Sequence, residues 1–203
     1  MRPTQTLGVV AAALMFGLPA QAQTSFVVEQ LTFSNQHSIE PTVGADGIYF
    51  TVDIGGGADT DLLISSIPHD ATIAVTGPGN QHQPDVSGDI LTYVSDENGT
   101  DNVRYRYLSS GTDNAFSNTP QAQNEPATDG DYVAWVEQFS GSWFVQYGDT
   151  VTGSQDILSA VSSFPISSVA VSNGTVVWQE SAIGSSANVY AATPGSAPFP
   201  VAN

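Results

Sequence analysis

Short apolar segments alternate with turn-forming residues along almost the whole chain. β-Branched and aromatic residues dominate the apolar segments, as in Leu62–Ile64 and Val103–Tyr107, and Gly, Asn, Asp and Pro separate them. Residues two apart on a strand share one face, so this alternation is typical of half-buried β-strands. The sequence after residue 22 shows no 3.6-residue apolar period of the kind that marks an amphipathic helix. The pattern therefore predicts an all-β protein.

One ten-residue pattern recurs four times at nearly constant spacing. Each copy contains a Gly turn followed by an apolar strand that ends in an aromatic residue. These aromatic residues are 43, 42 and 43 residues apart, and they are Phe50, Tyr93, Trp135 and Trp178. Two more short strands follow each of them, which gives four strands per repeat of about 42 residues and indicates a propeller blade. We therefore expect a small β-propeller with four blades of four-stranded antiparallel sheet, and we expect the four aromatic residues to form the core between blades.

The repeats and the N-terminal sequence set the expected domain boundaries. Residues 1–22 combine Arg2, an uncharged apolar run over 7–18 and an Ala20-Gln21-Ala22 cleavage sequence, which together are typical of a cleaved signal peptide. We expect export to the periplasm or the extracellular space and a single domain over 23–203. Its repeats are expected at about 34–76, 77–118, 119–160 and 161–203.

Two segments compete for the outer position of the fourth blade. Phe26–Phe33 has the composition of a strand that would close this blade from the N-terminal side, and Ala197–Ala202 occupies the same position from the other end. Pro198 and Pro200 cannot donate ladder hydrogen bonds, so we expect 26–33 to close the ring and the C-terminus to be a tail. The surplus strand leaves two alternatives open. It can pair with a neighbouring molecule, or two chains can form one larger propeller.

The charge balance narrows the choice of partners. The chain has 20 acidic residues, a net charge of −17 and no lysine; its cations are Arg2, Arg104 and Arg106. Such a surface repels phosphate backbones, which excludes nucleic acid, and no later segment is apolar enough to insert into a membrane. A basic protein partner, a second copy of the chain or a divalent cation remains, although net negative charge also keeps exported proteins in solution.

Acidic residues cluster around two Gly-containing turns. Asp53, Asp59 and Asp61 bracket the first turn, and Asp96 and Asp101 bracket the second. Carboxylate oxygens suit Ca²⁺, so these five residues are the metal candidates and calcium is the candidate cofactor. Neither turn follows the EF-hand pattern, and capping of hairpin turns by Asp side chains explains the same residues.

The sequence contains no recognisable catalytic constellation. The chain has no cysteine and three histidines, namely His37, His69 and His82, and no Gly-x-Ser-x-Gly elbow follows a strand. We therefore assign no catalytic residue and predict a non-catalytic protein-interaction or scaffold module that can self-assemble through a terminal strand. The alternative is a hydrolase or lyase that acts on polysaccharide through loop carboxylates.

Two segments, Gln83–Thr112 and Asn124–Glu137, resemble the TolB-type propeller repeat. The family pattern runs from Pro through a Gly-Asp turn and an apolar strand to an acid, and then to an Asn before an apolar-Tyr strand. The second repeat matches this pattern at Asp96 and Asn102. The resemblance covers about residues 26–203 and implies a periplasmic or extracellular interaction module. Related propellers that are enzymes have more blades and metal-binding histidine clusters.

Overall fold

The computed structural model describes residues 38–53, 59–65, 71–116, 120–181 and 187–202. All regular secondary structure in these ranges is β-strand. Within them, no helix has the length and apolar character needed to cross a membrane. The expected signal peptide and the segment Phe26–Phe33 lie outside the described residues.

The sixteen strands of the described ranges form four sheets, each with four antiparallel strands in chain order. The first sheet contains β1 (Ser38–Val43), β2 (Ile48–Asp53), β3 (Thr60–Ser65) and β4 (Ala71–Val75). The second contains β5 (Gln81–Ser87), β6 (Ile90–Ser95), β7 (Asn102–Tyr107) and β8 (Thr112–Ala115). The third contains β9 (Ala122–Asp129), β10 (Tyr132–Phe139), β11 (Ser142–Asp149) and β12 (Gln155–Ile157). The fourth contains β13 (Ile166–Ser172), β14 (Thr175–Ser181), β15 (Ala187–Ala192) and β16 (Phe199–Ala202). The expected all-β propeller of four blades is confirmed.

Glycine sets the hairpin between the first two strands of three blades. Gly88, Gly130 and Gly174 lie in the two-residue turns of these hairpins with φ of 59°, 60° and 71°. Two-residue hairpin turns need positive φ, which glycine adopts without steric cost. The turns fix the pairing register, so the apolar residues of each second strand fall on matching faces of successive sheets.

Each first strand carries a bulge at the same repeat position. Glu40, Gln83, Glu125 and Ser168 have φ between 52° and 55°, and the pairing register shifts next to each of them. In the first three blades the next residue is proline, which has no N–H to donate to the ladder. The bulge takes this position out of regular pairing and bends the strand.

Three apolar clusters lie between consecutive blades. Val86, Leu91 and Tyr93 pack against the first blade, Val133 and Trp135 pack against the second, and the fourth blade packs against the third in the same way through Trp178. In each interface the first strand of the later blade contacts the first three strands of the earlier blade. Among the described residues, no comparable packing joins the fourth sheet to the first.

The C-terminal segment differs from the expectation of a tail. β16 pairs with β15 as the outer strand of the fourth sheet, with Tyr190 opposite Pro200 and Ala191 opposite Phe199. Proline is tolerated here because β16 is an edge strand, where one side of the backbone has no ladder partner. The prediction that the C-terminus is a tail is therefore wrong. The prediction that Phe26–Phe33 closes the ring is not tested, because this segment lies outside the described residues.

Candidate functional site

The first strands of all four blades line one cavity. This inner cavity has a volume of about 390 Å³ and is bordered by β1, β5, β9 and β13. A second cavity of about 280 Å³, here called the rim cavity, shares three prolines with it. The rim cavity is lined by Glu40, Pro41, Gln83, Pro84, Glu125 and Pro126. Binding sites are usually concave and bordered by several structural elements, so both cavities are candidates.

Pro41, Pro84 and Pro126 prevent the inner strands from pairing further. Each lies on a first strand, which has one unpaired edge in its own sheet. Such an edge can add a foreign strand unless it is blocked, and proline removes the donor that pairing needs. The prolines therefore limit pairing along these edges and form part of the apolar lining of both cavities.

The bulge residues link successive blades through hydrogen bonds. Glu40 Oε2 accepts from the backbone N–H of Gln83 at 2.8 Å and from Thr51 Oγ1 at 2.9 Å. Gln83 Oε1 in turn accepts from the backbone N–H of Glu125 at 3.0 Å. The bonds from the N–H groups of Gln83 and Glu125 join equivalent positions of adjacent blades, and each satisfies an N–H that the bulge removes from the ladder. The bond from Thr51 lies within the first sheet.

Asp85 connects three blades at the inner cavity. Its Oδ1 accepts from Thr42 Oγ1 at 3.1 Å, and its Oδ2 accepts from the backbone N–H of Thr128 at 2.8 Å. Burial raises the pKa of the Asp85 carboxyl, and this effect exceeds the opposing effect of its hydrogen bonds. The carboxylate therefore serves as a structural link in a partly desolvated environment.

The rim cavity is acidic and has no cation in its lining. Glu40 and Glu125 are exposed there. Both arginines of the described chain lie on β7 instead, where Arg104 pairs with Glu97, and Arg106 lies 3.4 Å from Asp113. The local field at the rim is therefore negative and suits a cationic group of a partner.

The metal candidates are spread over two turns. Asp53 ends β2, Asp59 is exposed, and Asp61 lies buried in β3 with 7% exposure. The turn between the first two, residues 54–58, lies outside the described residues. Within the described ranges, no group of three or more acidic or histidine side chains has a geometry that could hold a metal ion.

The second acidic turn is organised by hydrogen bonds within the chain. Asp96 accepts from the backbone N–H of Asn80 at 2.6 Å and from Asn80 Nδ2 at 2.7 Å. Asp101 lies 3.9 Å from His82 Nε2. Asp96 thus acts as a cap for the loop before β5, which is the function that turn chemistry gives to such residues. The calcium assignment stays a prediction.

The inter-blade bonds of the bulge residues were not anticipated from the sequence. The sequence does contain an indication of these bonds, because Glu40, Gln83 and Glu125 each stand directly before the repeat proline. The right-handed helical conformation is disfavoured for a residue before proline, and a side-chain acceptor at a fixed period indicates a repeated contact. Asp85 has no such period, so its bridging position could be found only from the structure.

The chain matches no protein-family model and no curated protein. Solved structures of propellers are similar to it. TolB from Acinetobacter baumannii has 15% identity and a TM-score of 0.64, with 85% of this chain and 45% of that chain covered. A puromycin hydrolase has 12% identity and a TM-score of 0.69, covering 86% and 30%. The β-propeller domain of the Trilobed protease from Pyrococcus furiosus has 10% identity and a TM-score of 0.62, covering 85% and 59%.

These likenesses concern the fold, since all three identities are low. The chain also spans less than two thirds of the length of each of these proteins. The four repeated sheets and the packing between consecutive blades agree with the similarity to these three propeller structures. The chain therefore has a TolB-like β-propeller fold.

Proposed function

We propose that the chain is an exported, non-catalytic propeller that binds a basic segment of a protein partner at the rim cavity. The observation that carries this proposal is the composition of the cavity, in which two exposed glutamates flank three prolines. Prolines are rigid and have no backbone donor; Pro41 is exposed and offers apolar surface, whereas Pro84 and Pro126 are buried. The glutamates supply negative charge for a lysine or arginine side chain, and electrostatic complementarity of this kind favours fast and selective association.

The described residues favour binding over catalysis. The inner cavity contains one acidic side chain, Asp85, and both of its oxygens accept hydrogen bonds from neighbouring blades. His82, the histidine that lies within the described ranges, lines neither cavity. A site with a general acid and a base needs two titratable groups directed at one substrate position. Enzymes and non-catalytic binding proteins both use the propeller fold, so the proposal rests on the residues of the site and not on the fold.

The test uses a fluorescein-labelled hexalysine peptide as the probe and fluorescence anisotropy as the measurement. We expect saturable binding that weakens as salt concentration rises. Glu125→Gln should weaken binding several-fold, because it removes one rim charge with little change in shape. Asp131→Asn serves as the matched control, since Asp131 is an exposed acid in the hairpin after β9 and lines neither cavity. The rim site would be rejected if both variants bound hexalysine equally well. It would also be rejected if the wild-type chain bound a labelled hexaglutamate peptide as tightly as hexalysine.

A second candidate function is a hydrolase or lyase that acts on polysaccharide. The observation that favours it is Asp85, a half-buried acid with a raised pKa at a cavity, because such acids serve as proton donors in catalytic sites. Incubation with neutral and acidic polysaccharides, followed by an assay for new reducing or unsaturated ends, tests it. Activity that Asp85→Asn abolishes would support the enzyme and contradict the binding module.

A further inference from the structure

The first strands of the blades differ in how far they are covered. β5 contains three buried residues, namely Gln81, Pro84 and Val86, whereas none of the six residues of β1 is buried. β1 holds the same repeat position as β5 and the same pairing to its second strand. The difference therefore comes from what lies against the strand and does not come from its own sheet.

Val43 shows the difference most clearly. It lies opposite Ile48 in the first sheet, as Val86 lies opposite Leu91 in the second. Val43 is 74% exposed, whereas Val86 is 8% exposed because it packs against the first blade. Farther out on the first sheet Phe50 is buried at 6% exposure. The open part of the first blade is therefore its inner strand.

On the fourth blade, the face turned away from the third blade is the more exposed one. In the third blade, Ala134 and Val145 are 0% exposed and belong to the cluster that the fourth blade covers. Their counterparts in the fourth blade, Val177 and Val189, are half-buried. On β13 the neighbouring Ala170 is exposed, and it also lines the inner cavity. We refer to Ala170, Ser172, Val177 and Val189 as the rear surface of the fourth blade.

We propose that β1 of one molecule docks on the rear surface of the fourth blade of a second copy, in a head-to-tail contact. The three interfaces within the chain provide the pattern, since in each one a first strand packs on the inner three strands of the preceding blade. Among the described residues, β1 is an inner strand with no preceding blade to pack on. The rear surface is the matching blade face on which no inner strand of a following blade packs. The two surfaces match because the repeats that built them are equivalent.

A polar contact supports the same pairing. Ser87, the last residue of β5, accepts from the backbone N–H of Gly130 in the next blade at 3.0 Å. Asp129, the last residue of β9, accepts from the backbone N–H of Asn173 at 2.6 Å. Ser172 ends β13 and is exposed, so it offers the same hydroxyl acceptor to a following blade. Head-to-tail contacts of this kind close into a ring or continue as a filament, according to the rotation between copies.

The contact predicts the behaviour of two single variants. Val43→Arg places a charge and bulk on β1, and Ala170→Arg does the same on the rear surface. Both positions are exposed, so folding should be retained, which near-ultraviolet circular dichroism and the unfolding midpoint would verify. Multi-angle light scattering of the full chain should show a wild-type mass of two or more chains at high concentration. Each variant should fall to the mass of one chain. Val151→Arg is the matched control, because Val151 is 69% exposed in a turn outside both surfaces.

Mixing the two variants tests the direction of the contact. Val43→Arg keeps an intact rear surface and Ala170→Arg keeps an intact β1, so an equimolar mixture should form a dimer of one copy of each. A contact between two identical surfaces would instead leave one of the variants dimeric by itself. A wild-type chain that stays monomeric at high concentration would overturn the proposal, as would a mixture that stays monomeric. Because neither variant touches the rim glutamates, hexalysine binding is measured separately and its loss or retention does not decide this result.

Discussion

Glu40 Oε2 accepts a hydrogen bond from the backbone N–H of Gln83 at 2.8 Å, and the two residues hold the same position in successive repeats. Gln83 then repeats the arrangement towards Glu125 at 3.0 Å. Both acceptors belong to residues with positive φ, a backbone conformation that is unfavourable for residues other than glycine. The bonds between blades offset part of this cost, so the bulges and the blade packing stabilise each other.

Loss of the Glu40 carboxylate should therefore destabilise the fold. We expect Glu40→Ala to lower the free energy of unfolding by about 1–3 kcal/mol, because the N–H of Gln83 loses its acceptor. Glu40→Gln keeps an acceptor oxygen and should cost less. Urea unfolding followed by tryptophan fluorescence measures both variants. An alanine variant as stable as wild type would show that the contact contributes nothing.

The raised pKa of Asp85 predicts a pH dependence. The folded pKa lies above the value of 3.8 of an unperturbed Asp, so between these two values the folded state binds more protons than the unfolded chain. The contribution of this group to stability is therefore greatest at low pH and falls as the pH rises through the folded pKa. The difference in unfolding free energy between wild type and Asp85→Asn, measured at intervals from acid to neutral pH, should decrease as the pH rises. A difference that is constant with pH would contradict the desolvated environment of Asp85.

Trp135 should be a major contributor to stability. It is 1% exposed in the cluster between the second and third blades, and its ring stacks on Phe116 with centroids 5.0 Å apart. We expect Trp135→Ala to lower the free energy of unfolding by about 3–5 kcal/mol, because it removes a large buried side chain and leaves a cavity. Phe139→Ala on the same strand is the control, since Phe139 is 53% exposed. Comparable losses in both variants would argue against the inter-blade core.

Gly148 should tolerate no side chain. A Cβ atom at this position would overlap the ring of Phe116, which is itself held between Tyr105 and Trp135 at centroid distances of 4.8 and 5.0 Å. We expect Gly148→Ala to lower the unfolding free energy by about 1–3 kcal/mol through overpacking. Gly77→Ala is the matched control, because its Cβ would lie at an ordinary 3.7 Å from Gln81 Nε2. A stable Gly148 variant would show that Phe116 can move away at little cost.

Asp96 should contribute to stability as a loop cap. Asp96→Ala removes the acceptor of two hydrogen bonds from Asn80, and we expect the unfolding free energy to fall by about 1–3 kcal/mol. The loss should be the same in calcium and in a calcium chelator, because capping needs no metal. Asp59→Ala is the comparison, since Asp59 is exposed and belongs to the other acidic turn. A loss seen only when calcium is present would instead support the metal assignment.

Much of the fold could be predicted from the sequence because its signals are local and periodic. The two-residue alternation identifies strands, and the spacing from Phe50 to Trp178 identifies repeats. Gly88 and Gly130 mark hairpins that the structure contains. Tyr93, Trp135 and Trp178 lie between blades, because their period places each of them on the face that meets the preceding blade. Phe50 is buried at 6% exposure but belongs to none of the three clusters, so its place in a core between blades stays a prediction.

The prediction of a C-terminal tail is wrong for a physical reason. The prolines around Phe199 argue against a strand in general, yet an edge strand keeps one unpaired side and can accept them. Whether a segment lies at an edge depends on its neighbours in the sheet. The sequence does not contain this information, and only the pairing of β16 with β15 decided it.

The sequence by itself determined the strands, the repeat, the turns and the negative charge of this protein, because each of these depends on residues close together in the chain. The tertiary structure decided which residues meet across blades, including the Glu40–Gln83 contact, the bridging of Asp85 and the exposure of Val43. Val43 and Val86 are the same residue type at the same repeat position, yet one is exposed and the other is buried. Burial depends on the surface that lies against a residue, and that surface is formed only when the blades pack.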